Sequence, residues 1–138
     1  MEAWKKGEKD WDWKQMNVSF SKKGVVRGLH YRTKNPEAKL VFCVSGEIDD
    51  ACVCLDCGEV RTFLLRQDGK GLLVPPGWAH GFRAKEDSKV VYLVSEVYDH
   101  RDAYGINPMD RSLELPWTYS QEVILSDQDK LWPNFDDR

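Results

Sequence analysis

Short hydrophobic runs alternate with polar segments through the middle of the chain. Five short runs are rich in β-branched or aromatic residues and are punctuated by glycines: KLVFCVSG, EIDDACVCLD, EVRTFLLR, GLLVPPG and SKVVYLVSEVYD. Runs of this kind, bounded by turn residues, predict strands. No stretch before the C-terminal third keeps a helical period, which indicates an all-β sandwich or barrel. The regular spacing suits a jelly roll, in which two sheets face each other over one core.

One of these runs, LVFCV, has no polar residue at alternate positions. A strand with one solvent-exposed face alternates apolar and polar residues, so both faces of this strand should be covered. The run therefore predicts a central strand or an oligomer interface.

The C-terminal third is irregular after Tyr98 and contains Pro108, Pro116 and Pro133. The stretch SDQDKLW predicts a short helix with Ser126 as N-cap and Asp129 in its first turn. We expect one domain over residues 1–138, with an N-terminal arm (1–14), a jelly-roll core (15–100) and an irregular, partly helical segment (101–138).

Composition supports a globular protein of one domain. The 138 residues are 41% hydrophobic and 31% charged, and no apolar run approaches the roughly 20 residues of a membrane helix. The first segment lacks the apolar stretch of a secretory signal. We therefore expect a soluble, cytoplasmic protein without a membrane partner.

The charge pattern argues against nucleic-acid binding. The net charge is −3, the pI is about 5.6, and lysines alternate with acids along most of the chain. The N-terminal WKKGEKDWDWK mixes lysine with tryptophan as a stacking platform would, but its acids cancel its lysines. We expect no nucleic-acid partner.

Four cysteines lie at positions 43, 52, 54 and 57. Cys54 and Cys57 form a single CxxC, a weak zinc or redox signal because a structural zinc site needs four ligands. Cys43, Cys52 and Cys54 lie within apolar runs, where a free thiol behaves as a small buried hydrophobe. We interpret these three as core thiols.

Two histidines stand in similar contexts, His30 after GVVRGL and His80 in VPPGWAHGF. A jelly roll can bring such positions together inside the mouth of the barrel, where small-molecule sites usually form. Metal-binding cupins resemble this arrangement, but their HxH pair fails here because Arg32 follows His30 at the second position. Glu37 is the one candidate for a third ligand, and we expect no bound metal.

His30 is also a candidate base, since an imidazole accepts a proton at neutral pH. An imidazole can remove a proton from carbon only where that carbon lies next to a carbonyl group and a fixed cation stabilises the enolate oxygen that forms. Lys39 could supply that cation. Tyr92 could return a proton to the opposite face. From spacing alone, the pattern favours a core aromatic at Tyr92 and, more strongly still, a surface lysine at Lys39.

Several stretches along the chain, taken in order, form a specific set: QMNVSFSKKGVVRGLHY, AKLVFCVSGEIDD, VPPGWAHGF, VVYLVSEVYDHRDAYGI, LPW and LSDQD. Together they resemble the dTDP-4-dehydrorhamnose 3,5-epimerase family. The resemblance runs from Gln15 to Asp129. It implies a cupin-type jelly roll, or double-stranded β-helix, that binds no metal or other cofactor, forms homodimers and acts on nucleotide-linked 4-keto-6-deoxy sugars.

The resemblance also implies a role for each matching residue. His30 would be the base, polarised by Asp129; Lys39 would stabilise the enolate and Tyr92 would reprotonate it. The remaining matches would bind substrate: His80 along the sugar, Arg27 at the diphosphate, Tyr98 beside the site, and Gln15 and Asn17 at the nucleotide.

The chain departs from the family pattern in ways that make it a shortened member. Between Asp56 and Val60 the family has a longer loop, and Ala103 stands where a glutamate is usual. We therefore predict epimerisation at C3, C5 or both and leave the identity of the nucleotide open. Three alternatives stay open: a sugar ketoisomerase on the same site, a non-catalytic sugar-binding cupin, and a metal cupin oxygenase.

Overall fold

A computed structural model describes residues 11–138 of the chain. Short strands dominate its first two thirds, and several of the turns between them contain a glycine with positive φ: Gly24, Gly46, Gly58, Gly69 and Gly77. The strands are β1 (Gln15–Ser21), β2 (Val26–Tyr31), β3 (Lys39–Ser45), β4 (Glu47–Cys54), β5 (Val60–Arg66), β6 (Leu72–Val74), β7 (Trp78–Ala84), β8 (Ser88–Val94) and β9 (Tyr104–Gly105).

The strands form two antiparallel sheets, one of four strands in the order β1-β8-β3-β6 and one of five in the order β5-β4-β7-β2-β9. Their inner faces meet in a shared apolar cluster that takes Val41 and Val90 from the first sheet and Cys52 and Phe82 from the second. The all-β, jelly-roll prediction is confirmed.

A second apolar cluster covers the other face of the five-stranded sheet. Val26, Leu29 and Val53 pack there against the C-terminal segment, whose Trp117 is fully buried and donates its indole N–H to the Pro108 carbonyl at 2.8 Å. Burying each large apolar side chain contributes about 1.5 to 3 kcal/mol, so this segment is held by its own core. An apolar cluster therefore lies against each face of the five-stranded sheet.

The run LVFCV lies in β3, which is flanked by β8 and β6. Its inner residues Val41 and Cys43 are in the core, as expected for a central strand. Its outer residues Leu40, Phe42 and Val44 lie on the outer face of the four-stranded sheet, where the exposure of Val44 reaches 39%. The central-strand interpretation is confirmed.

The C-terminal segment contains short 3-10 helices, at His100–Asp102, Arg111–Leu113, Asp129–Leu131 and Phe135–Asp137. The predicted helix in SDQDKLW is the third of these, a single turn. The N-cap of this turn is Gln128 rather than the predicted Ser126, whose hydroxyl nevertheless accepts the Asp129 amide at 3.1 Å. Just before it, backbone hydrogen bonds join Ile124 to Val26 and Gly24, which fixes this segment beside β2.

Four strands were absent from the list predicted from hydrophobic runs: β1, β2, β7 and β9. In β1 the outward positions Met16, Val18 and Phe20 are exposed and apolar, while the inward positions Gln15 and Asn17 are polar, so the usual pattern is reversed. Of the predicted N-terminal arm and its lysine and tryptophan residues, positions 1–10 lie outside the described residues. None of the helices in residues 11–138 has the length and apolar character that a membrane span requires.

Candidate active site

The two histidines singled out in the sequence lie side by side. His30 in β2 is the cross-strand partner of His80 in β7, and both side chains point to the inner face of the five-stranded sheet. Gly28 and Gly81 let the two strands approach closely here, because a Cβ on Gly28 would lie 2.7 Å from the Gly81 Cα. Gly28 also has a φ of +129°, which disfavours any other residue.

His30 is bound to Asp129, as the resemblance implied. Its Nε2 lies 2.8 Å from Asp129 Oδ1, and the same oxygen accepts the Trp132 indole N–H at 2.8 Å. The other carboxylate oxygen accepts the Gly28 amide at 3.2 Å. Burial disfavours the ionised form of Asp129 and so acts to raise its pKa. The interaction with His30 and the hydrogen bonds from Trp132 and Gly28 outweigh burial, so the pKa of Asp129 is lowered.

The ionised Asp129 fixes the tautomer of His30. A carboxylate only accepts hydrogen bonds, so the shared proton is assigned to Nε2 and the lone pair to Nδ1. The His30 side chain is 43% exposed, whereas that of Asp129 is 5% exposed. An imidazole that is open to solvent and oriented by a buried carboxylate is the arrangement of a general base.

His80 forms a second histidine–carboxylate pair that the sequence did not predict. Its Nε2 lies 2.7 Å from Asp50 Oδ2, and the two side chains are only 6% and 0% exposed. Asp50 also accepts a weak hydrogen bond from the Cys52 thiol at 3.7 Å. Asp50 stands on the inner face of β4 with Ile48 and Cys52. An acid at an inward strand position is the sequence signal that could have revealed this pair.

Lys39 opens β3 and is almost fully buried. Burial lowers the pKa of its ammonium group, and the carboxylate of Glu37 opposes that change. The Lys39 Nζ and Glu37 Oε1 atoms are 3.8 Å apart, an ion pair rather than a hydrogen bond, so Glu37 takes none of the three N–H donors. The surface-lysine alternative is therefore wrong.

Glu37 is shared between two cations. Its second oxygen lies 3.7 Å from Arg32 Nη1, and Arg32 in turn contacts Asp102 through Nε at 3.4 Å. Burial raises the pKa of Glu37 although both cations oppose this. Asp102 accepts the backbone amides of residues 33, 34 and 35, which lower its pKa strongly. The sequence proposed Glu37 only as a metal ligand, and the structure pairs it with Arg32 and Lys39.

Tyr92 lies in β8, opposite Val41 of β3, so it belongs to the sheet facing that of His30. The Lys39 ammonium lies 5.9 Å from the centroid of its ring. Burial raises the pKa of the Tyr92 phenol, and Glu37 adds to that shift. The phenol therefore keeps its proton at neutral pH and can donate it.

Two cavities open between the sheets, with volumes of about 240 and 350 Å³. His30, Lys39 and Tyr92 line both of them. The first cavity extends towards Tyr98 and Trp132, and the second towards Arg27 and His80. The three groups singled out for proton transfer thus meet at the junction of the two cavities, with His30 on one sheet and Tyr92 on the other.

The remaining predicted site residues surround this junction. Arg27 lines the second cavity and is held by Ser21 Oγ at 2.9 Å and the Phe20 carbonyl at 3.1 Å. Asn17 and the exposed Tyr98 line the first cavity. Gln15 is at the rim, where its side chain donates to Asn17 and accepts the Tyr98 amide at 2.9 Å.

Sequence reasoning missed several residues at the site, among them Asp50, Trp132 and Gln128. Trp132 lies edge-on to His30 at 6.3 Å between ring centroids, and Gln128 lines both cavities. Residues 11–138 contain no group of three or more His, Cys, Asp or Glu side chains placed to hold a metal ion. Each histidine of the site instead bonds a single carboxylate.

The model of the dTDP-4-dehydrorhamnose 3,5-epimerase family matches residues 1–137. The chain belongs to this family. A dTDP-4-dehydrorhamnose 3,5-epimerase of Mycobacterium tuberculosis H37Rv is 37% identical over 136 residues, which cover 91% of this chain and 67% of that one. The Streptomyces griseus enzyme of the same name is 34% identical over 126 residues, 86% of this chain and 63% of its own length.

A solved structure of a family member supports the same fold. The Legionella pneumophila epimerase in complex with dTDP-4-keto-L-rhamnose has a TM-score of 0.84 and 28% identity, covering 91% of this chain and 71% of that one. The chain thus spans only about two thirds of the length of the family relatives it matches in sequence.

Proposed function

We propose that the chain epimerises a nucleotide-linked 4-keto-6-deoxy hexose at C3, C5 or both, by removing and returning a proton beside the C4 ketone, in the biosynthesis of a deoxysugar. The observation that carries this proposal is the His30–Asp129 pair. Its buried carboxylate holds a partly exposed imidazole at the junction of two cavities that Lys39 and Tyr92 also line. The relatives named as epimerases point to the same reaction.

His30 removes the proton through Nδ1. The ionised Asp129 stabilises the imidazolium that forms, because it already holds the opposite nitrogen at 2.8 Å. Trp132 and Gly28 keep the carboxylate oriented through their own hydrogen bonds. The base is therefore ready before substrate arrives.

Lys39 stabilises the enolate oxygen that develops at C4. A buried ammonium group whose donors are not taken by its ion-pair partner stabilises an anion more strongly than one in water would. The negative charge moves from the carbon to this oxygen in the transition state, so the interaction favours the reaction rather than ground-state binding.

Tyr92 returns a proton to the other face of the carbon. It lies on the four-stranded sheet and His30 on the five-stranded sheet, so a sugar ring between the sheets meets the two groups from opposite sides. Removal by one group and return by the other inverts the carbon. Return by His30 alone restores the original configuration.

The nucleotide diphosphate extends from the sugar along the cavity rims. Arg27, whose guanidinium is positioned by Ser21 and Phe20, pairs with a phosphate. His80 lines the sugar position, Tyr98 offers an exposed ring for stacking, and Gln15 and Asn17 contact the nucleoside. A dTDP-linked sugar is the candidate substrate, because the structure of the Legionella relative contains dTDP-4-keto-L-rhamnose.

We also propose that two copies of the chain form a homodimer through the outer face of the four-stranded sheet. This face places Met16 beside Leu93 and Val18 beside Val91, and the side chains of Met16 and Phe20 are 62% and 71% exposed. An exposed apolar sheet face of this extent is unfavourable in water and is typical of an interface. Light scattering that gives the 16.0 kDa monomer at micromolar concentration would contradict the dimer.

Solvent exchange tests the reaction. The protein is incubated in heavy water with dTDP-4-keto-6-deoxyglucose, and deuterium is followed at C3 and C5 by NMR. We expect incorporation at one or both carbons together with an inverted product. Saturable binding without any incorporation would indicate a sugar-binding cupin instead, and a 3-keto product would indicate a ketoisomerase.

A further inference from the structure

The turn between β4 and β5 brings two thiols together on the surface. Cys54 ends β4, and Cys57 follows three residues later in an exposed position. Gly58 has a φ of +76° and turns the chain back, with its amide 2.9 Å from the Cys54 carbonyl. The Cys54 amide in turn donates to the Glu59 carbonyl at 2.8 Å, which closes the turn.

Neighbouring segments hold this turn in place. The Leu55 amide donates to the Gly77 carbonyl at 3.0 Å, and the guanidinium of Arg138 donates to the Leu55 carbonyl. The ring of Phe135 lies against Gly58, because a Cβ there would be 3.4 Å from two of its carbons. The two cysteines are thus presented by an anchored turn.

The two thiols differ in chemistry. The Cys57 amide donates to Cys54 Sγ at 3.4 Å. The Cys57 thiol also donates to this sulfur; this contact, more than any other, lowers the pKa of Cys54 and raises that of Cys57. In a CxxC pair, such an asymmetry makes the first cysteine the nucleophile and the second its partner. Cys43 and Cys52 are buried, so reagents reach the turn first.

We propose that Cys54 and Cys57 form a thiol–disulfide exchange site that reacts with small-molecule disulfides. The Cys54 thiolate attacks one sulfur of the disulfide, which forms a mixed disulfide and expels one thiolate. The Cys57 sulfur, losing its proton to solvent, then attacks Cys54 Sγ and expels the second thiolate, which takes up a proton. Overall, two protein thiols are oxidised to one disulfide and the small disulfide is reduced to two thiols.

This site is separate from the sugar chemistry. Neither cysteine lines the two cavities of the candidate active site. The proposal therefore does not depend on the epimerase activity, and either can fail without the other.

Intact mass tests the site with oxidised glutathione as the probe. The reduced protein is equilibrated with it at neutral pH in the presence of a chelator, trapped with iodoacetamide and mapped by peptide analysis. We expect the mass before trapping to fall by about 2 Da and Cys54 and Cys57 to be joined. Recovery of both residues as alkylated thiols after equilibration would overturn the proposal.

Two single variants assign the roles. With Cys57→Ser the first step has no second thiol to complete it, so we expect a stable glutathione adduct of about +305 Da on Cys54. With Cys54→Ser we expect Cys57 to form its adduct at least ten times more slowly, since it lacks the lowered pKa. Equal rates for the two variants, or a wild-type product that stops at the adduct, would contradict the exchange mechanism.

Discussion

Residues 11–138 contain two histidine–carboxylate pairs whose histidines lie on neighbouring strands, and the pairs differ mainly in exposure. His30 with Asp129 and His80 with Asp50 have nearly equal nitrogen–oxygen distances, 2.8 and 2.7 Å. The His30 side chain is 43% exposed and that of His80 only 6%. Hydrogen-bond geometry alone therefore does not distinguish a base from a structural pair.

The partners of the two pairs explain this difference. Asp50 comes from β4, which lies next to β7 in the same sheet, so its pair with His80 is enclosed between the sheets. Asp129 comes from the C-terminal segment, which packs across the open end of β2 and leaves one side of His30 facing the cavity. We therefore propose that the same two residue types serve for proton transfer in one place and for holding the sheet in the other.

The comparison is tested most directly by replacing each histidine with asparagine. His30→Asn should lower deuterium incorporation at least about 1,000-fold, because the base is lost. His80→Asn should keep incorporation within about 30-fold of wild type and act mainly on stability. The NMR exchange assay measures deuterium incorporation by both variants. A greater loss of incorporation in His80→Asn than in His30→Asn would assign the base to His80 instead of His30.

Replacing the two carboxylates separates catalysis from stability. Asp129→Asn should lower exchange about 100-fold, since an amide that keeps its oxygen towards His30 turns its NH2 group to the Gly28 N–H. Asp50→Asn should instead lower the free energy of unfolding by about 3 kcal/mol, because it breaks a buried pair. Urea denaturation and the exchange assay on both variants give the four values. Similar effects of the two variants in both assays would show that the exposure of the histidine does not separate a catalytic pair from a structural one.

Tyr92→Phe tests whether His30 acts alone on its face of the sugar. Exchange should stay within about tenfold of wild type, while formation of the inverted product falls about 100-fold. The ratio of deuterated substrate to inverted product at early times measures this difference. Full-rate inversion by the phenylalanine variant would exclude Tyr92 as the acid.

The smallest effect concerns a third carboxylate, Glu37, which pairs with a lysine instead of a histidine. Glu37 opposes the burial that lowers the pKa of Lys39, so Glu37→Gln lowers that pKa further. Because the reaction needs the ammonium form, the alkaline fall of kcat/KM should move to lower pH, with little change below neutrality. Glu96→Gln is the matched control, since Glu96 lines the same cavity but pairs with Lys14 at 3.7 Å. An equal shift in both variants would contradict the role of Glu37.

Local pattern was sufficient for most of the fold. The runs that contain β3, β4, β5, β6 and β8 were predicted because each joins β-branched or aromatic residues to a following turn. β1 escaped because its apolar residues face outwards, and β7 because its small and polar residues, including His80 and Gly81, pack against a neighbouring strand. Cys54 was interpreted as a core thiol but is only partly buried, since it is at the end of its strand.

The sequence by itself determined the β architecture, and through RGLHY and PPGWAH it indicated the family and the residues to examine. It could not reveal that Asp50 pairs with His80 or that Glu37 pairs with Lys39. The pair of His30 and Asp129 joins positions 99 residues apart. Such contacts, and the exposure that gives them different chemistry, depend on how the sheets and the C-terminal segment pack, which no local pattern of residues encodes.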